Sequence, residues 1–188
     1  MPNRVWILLP LLVFTWPRIL HGLTLLPQEN FDVEQFVGRW YEGGVVSDCP
    51  HYTRNKKASP GVVALDLKRS HHGNLTVTSA ISRNGSCQQT SVQYASTETA
   101  GKFFYHVARL GVDVAAYVVH TDYDEYAMMG LLSTERTSQN KTTILKLYTR
   151  SLDVRLAVLE DFKALVQKHG MRDDSIIFNE NRILNTCI

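Results

Sequence analysis

"TTILKLYTRSLDVRLAVLEDFKALVQKHG", residues 142–170, decides the fold. Its first nine residues alternate. Ile144, Lys146, Tyr148 and Arg150 share one face of an extended strand, and Leu145 and Leu147 share the other. After Ser151 the period changes to 3.6, with Val154, Val158, Phe162 and Leu165 along one side of a helix. Ser151 or Asp153 can cap its start, and Gly170 can close its end. Such a helix buries its apolar stripe on the apolar face of the strand, here Leu145 and Leu147. Lys146 and Arg150 then turn to the opposite side, inside the sheet. A fully packed interior does not accept two cations, whereas a cavity or a polar closed end does.

Seven more strand-like runs lie upstream: 38–47, 61–69, 75–82, 86–95, 102–107, 113–121 and 125–133. The first places Trp40, Glu42, Gly44 and Val46 on one face. Asn84-Gly85 marks a tight hairpin. Cys49 and the residues after it read as a polar loop, and residues 174–178 read as a short late strand. Eight strands at regular spacing predict an all-β chain, an eight-stranded antiparallel up-and-down β-barrel with one C-terminal α-helix packed outside. A barrel of eight strands has no free edge and holds one small ligand.

Residues 1–22 carry a basic start, a short apolar core and a small residue at Gly22, the pattern of a signal peptide. Residues 23–188 then form a single domain, secreted and extracellular. No stretch is apolar enough for a membrane span. Of 20 basic and 18 acidic residues, Arg4 and Arg18 lie in the leader, so the remaining charge balances. That excludes nucleic acid as a general partner. Asn74, Asn84 and Asn140 head glycosylation sequons, which predicts a glycoprotein. His71 and His72 have no carboxylate or cysteine companions, so no metal site is expected.

Gly38-Arg39-Trp40, Thr121-Asp122-Tyr123 and Arg150 together resemble the three motifs of the lipocalin family. In that family the three meet at the closed end of the barrel. A guanidinium there stacks on an indole and donates to the incoming chain. Within the family, "YVVHTDYDEYA" (117–127), "KLYTR" (146–150) and "DDSIIF" (173–178) resemble the alpha-1-microglobulin group. That resemblance implies a disulfide bond between Cys87 and Cys187 and a free thiol at Cys49. It also implies a scavenger of small hydrophobic or haem-like ligands, with thiol-dependent reductase activity supported by pocket lysines. Of those lysines only Lys146 is present; Val107 and Ser133 stand at the other two positions. Arg54, Lys56 and Lys57 are further cations that favour a thiolate at Cys49.

The expected ligand-binding residues are Cys49, His51, Phe103, Tyr105, Val107, Met128, Lys146 and Tyr148. No cofactor is required, and haem or a chromophore enters as ligand. A second reading makes Cys49 the attachment point of a covalent protein partner, as in the gamma subunit of the eighth complement component. A third, a prostaglandin-synthase-like enzyme, lacks the necessary thiol on the second strand, "GVVALDLKR".

Overall fold

The computed structural model describes residues 24–58, 61, 63–83 and 86–179. The expected leader, Asn84 and Cys187 lie outside them. Eight strands run in sequence: β1 (Gly38–Ser47), β2 (Val63–Arg69), β3 (Leu75–Arg83), β4 (Ser86–Ser96), β5 (Lys102–Val107), β6 (Val112–Thr121), β7 (Tyr126–Glu135) and β8 (Lys141–Thr149). Each pairs antiparallel with its neighbour, and β1 pairs with both β8 and β2, so the barrel closes. A ninth strand, β9 (Ile177–Phe178), adds to β1 from outside. The wall is thinnest between β4 and β5, which pair only at Ala95–Phe104 and Ser96–Phe103.

Two cores result. The inner one contains Phe36, Trp40, Leu67, Leu75, Val77, Phe103, Met129, Leu131 and Tyr148. The outer one packs Leu145 and Leu147 beneath Val158, Phe162 and Val166 of a helix, α3 (Leu156–Lys168), as the alternation of 142–150 requires. The helix begins later than expected. Ser151 Oγ donates to the Asp153 carbonyl in the preceding loop, and Arg155 holds the cap position without a side-chain capping bond, its guanidinium paired instead with Glu125. Gly170 does close the end, at φ +73°, a left-handed conformation natural to glycine.

Two findings correct the expected faces. Between Glu42 and Gly44 the register of β1 on β8 shifts. Glu42 stays inside opposite Tyr148, but Val46 moves outside, opposite Leu145 and into the outer core. Met128 is the second correction. It sits in the outer core with Tyr126, and Met129 faces the inside. The first six residues of β7 are all buried, Tyr126 and Met128 in the outer core, Gly130 against Leu25, and Ala127, Met129 and Leu131 inside, so no polar face fixes their parity.

Two helices lie outside the expected elements. A short α1 (Val33–Phe36) starts at Asp32, whose carboxylate accepts from the Glu34 amide at 2.8 Å. It carries Phe36 into the inner core. The segment after β1 is α2 (Pro50–Ala58), not a polar loop. Pro50 stands at its first position, where a missing N–H costs nothing.

Candidate functional site

The closed end is built on Arg150. Its guanidinium carbon lies 3.7 Å from the centre of the Trp40 ring. Its nitrogens donate to the carbonyls of Tyr123 (2.9 Å), Arg39 (2.9 Å), Gln35 (2.9 Å) and Val37 (3.1 Å). One side chain thus ties α1, β1 and the β6–β7 turn together. Gly38 has φ +104°, and a Cβ there would lie 3.1 Å from the guanidinium. The strand must start on glycine for both reasons.

The turn itself is self-bonded. Thr121 Oγ1 donates to the Tyr126 carbonyl at 2.7 Å and accepts from the Tyr123 amide. Asp122 accepts from the amides of Glu125 and Tyr126. Tyr123 sits at φ +68° and accepts from the Asp32 amide through its hydroxyl at 2.9 Å. All three expected motifs therefore meet at this end.

Above the floor lies a small internal cavity of about 20 Å³, lined by Leu65, Leu67, Val77, Met129, Leu131 and Tyr148, together with Phe36 and Phe103. Its lining is aliphatic and aromatic, with room for about one water, so side chains nearly fill the apolar interior of the barrel. Phe103 and Tyr148 belong to this inner core as expected, and Tyr105 and Val107 pack against it. Met128 instead lines an outer groove beside His120, whose Nδ1 meets the Tyr126 hydroxyl at 2.9 Å.

The mouth is covered by α2. Asp48 and Ser47 anchor its approach to Thr143 of β8. Cys49 precedes the helix, half-buried, its amide donating to Ser47 Oγ and its carbonyl accepting from the Thr53 amide. Among the described residues it pairs with no other cysteine. His51 is exposed and meets Asn55 along the helix, so it does not face the cavity. Tyr52 and Lys56, four apart and on one face of α2, are the residues that turn inward.

What they meet is Glu42. This buried carboxylate is 2.7 Å from Lys56 Nζ and 2.6 Å from Lys146 Nζ. Burial works against its charge, but the two ammonium groups win and hold it down at about 2. Lys146 is driven the other way: burial opposes its charge, yet Glu42 keeps it protonated well above the ordinary lysine range. Tyr52, Tyr94 and Tyr148 surround the pair. Burial, the largest influence on each, pushes all three phenols up. Tyr94 and Tyr105 stack at 4.3 Å. Lys56 and Lys146 are thus engaged by Glu42 and are not free cations for Cys49.

Sequence reasoning missed this cluster. The signal was present in β1 and β8, where Glu42 and Lys146 both fall on inward positions. Lys56 gave none, because an α2 whose inward residues are polar shows no apolar period.

A closed barrel with an internal apolar cavity, a glycine–tryptophan start and an arginine across its floor defines a ligand-binding barrel class. The chain belongs to the lipocalin / cytosolic fatty-acid binding protein family, whose model matches residues 37–183. It is similar to Protein AMBP of Pleuronectes platessa, 44% identical over 182 residues, covering 94% of this chain and 51% of that protein. Protein AMBP of Mus musculus is 35% identical over 158 residues, covering 82% and 44%. The chain spans about half the length of these curated relatives. Among solved structures, the siderocalin Ex-FABP matches with a TM-score of 0.63 at 19% identity, covering 79% of this chain and 95% of that one. At that identity the likeness speaks for the fold alone.

Proposed function

We propose that the protein is an extracellular carrier or scavenger of the alpha-1-microglobulin kind, taking one small hydrophobic ligand into the barrel with a free thiol at the mouth. The closed barrel with its aliphatic and aromatic interior above the Arg150–Trp40 floor carries this reading. The internal cavity is small, so a ligand enters by displacing side chains of the inner core; a haem would sit higher, at the mouth beside Tyr52 and Cys49. Native mass spectrometry of protein secreted from a eukaryotic host should find a small apolar molecule bound. Leu131→Trp, which fills the cavity, should abolish it. Equal occupancy in both proteins, or none in the wild type, would contradict the reading.

The thiol has its own test. A bridge from Cys87 to Cys187 leaves Cys49 free, and such a bridge typically stabilises by about 2–5 kcal/mol. Cys49 is half-buried at the head of α2, which favours reaction with a molecule at the mouth over attachment to a partner chain. Iodoacetamide should label Cys49 alone in the native secreted protein, and non-reducing peptide maps should link Cys87 to Cys187. Cys49 found in any disulfide would overturn the assignment.

A further inference from the structure

Among the described residues, α2 is the one α-helix that fully buries no residue of its own. α1 is pinned by Phe36, and α3 by Val158, Phe162 and Val166. Yet α2 lies across the mouth of a barrel whose interior is nearly full. What holds it there is mainly polar. Thr53 Oγ1 donates to the Ser47 carbonyl over a long 3.4 Å, and Tyr52 turns inward, half-buried, beside Lys146. The short contact is Lys56, whose Nζ lies 2.7 Å from Glu42 and donates to the Gly61 carbonyl at 3.2 Å. One side chain thus joins the helix to β1 and to the approach to β2.

The charge on this contact makes it reversible. Glu42 faces two ammonium groups, so the closed cluster with Lys56 and Lys146 holds one positive charge in excess. That excess is kept from water, with Glu42 2% exposed and the Lys56 side chain 9%. Unpaired charge in such a place is unfavourable. When Lys56 swings out with α2, its ammonium is hydrated, and a neutral Glu42–Lys146 pair, 2.6 Å apart, stays behind. Neither state orphans the carboxylate, and the socket remains in place for the return of the helix.

We propose that α2 is a gate latched by Lys56 on Glu42, opening as a unit while Lys146 keeps the carboxylate paired. Opening strips no fully buried side chain from the helix. It uncovers the top of the inner core and frees Cys49, whose carbonyl accepts from the Thr53 amide. The two lysines have opposite roles: Lys56 closes the gate, and Lys146 lowers the cost of opening it. The gate is a property of the empty protein and holds whichever ligand the barrel takes.

Residue-resolved hydrogen exchange by NMR tests this with no ligand present. In the wild type, the amides of residues 54–58 should exchange through a local opening, faster than those of β7, which open only with the barrel. Lys56→Met should speed exchange at 54–58 about ten-fold or more, the worth of a bond to a charged group, and leave β7 unchanged. Lys146→Met should slow it relative to β7 by about three-fold or more, because opening then strands Glu42 without a partner. Arg54→Met, at an exposed position on the same helix, should change neither. Wild-type amides at 54–58 that exchange only as slowly as β7 would overturn the gate, and this arm needs no variant. An unchanged rate in Lys56→Met would overturn the latch. Acceleration in both lysine variants, or no slowing in Lys146→Met, would reduce the cluster to a shared prop and overturn the division of roles.

Discussion

Glu42→Gln should lower stability by about 3–5 kcal/mol, the usual cost of breaking a buried ion pair by removing one partner. The substitution is nearly isosteric, so packing is not the cause. It leaves Lys56 and Lys146 side by side with no carboxylate between them, and Lys146 loses the partner that held it charged. The pH dependence separates this from a packing defect. The folded-state value of Glu42 is depressed to about 2 from an ordinary 4.5. Its contribution is therefore complete above about pH 4.5 and is lost as pH falls towards 2. The gap in urea midpoint between wild type and variant should be full at pH 6 and should narrow steadily below pH 4.5. A gap that stays constant down to pH 2.5 would contradict the ion-pair account. Lys146 has the opposite sign: its value is raised, so its contribution is present below the ordinary lysine range and is lost as pH climbs through the folded value.

The second large effect is expected at the other end of the barrel. Arg150→Ala should cost about 3 kcal/mol, from the cation–π contact and from carbonyls that lose a charged donor. The loss is moderated because Arg150 is only partly buried, and water can reach some of the freed carbonyls. For a chain of this size that corresponds to a fall in melting temperature of roughly 6–12 °C. Arg150→Lys should recover only part, since an ammonium cannot serve four carbonyls while lying flat on an indole. Ligand affinity in the folded variant should stay near wild type, because the cavity lies above the Trp40 floor. Full recovery in the lysine variant would show that charge alone, not the planar fork, holds the closed end.

The barrel was legible because its strands obey a period of two and are separated by turn residues. The first strand was bounded correctly at both ends, Gly38 to Ser47. The last strand and α3 were legible together, because the helix demands an apolar face on 142–150 and only Leu145 and Leu147 supply it. The closed end was legible through Gly38, Trp40, Tyr123 and Arg150, whose side chains have few other reasons to occur at those places.

The mouth was not legible, for three physical reasons. A bulge at Gly43 breaks the alternation of β1 and moves Val46 to the other face. Buried on both sides, β7 gives no polar residue to choose between Met128 and Met129. The lid α2 has no buried residue of its own, so its inward positions, Tyr52 and Lys56, carry no apolar stripe. A charge triad spread over β1, β8 and α2 becomes visible only when the chain is folded.

Those two methionines provide the most direct measurement. With methyl-labelled methionine, NMR spectra of the protein titrated with decan-1-ol report the cavity and the outer groove separately, from adjacent residues. Met129 lines the internal cavity, and Met128 lies under α3. The account predicts a saturable shift of the Met129 methyl, with contacts from the probe's chain, while Met128 stays in place. Saturable shifts confined to Met128, with Met129 unmoved, would place the ligand outside the barrel and contradict the account.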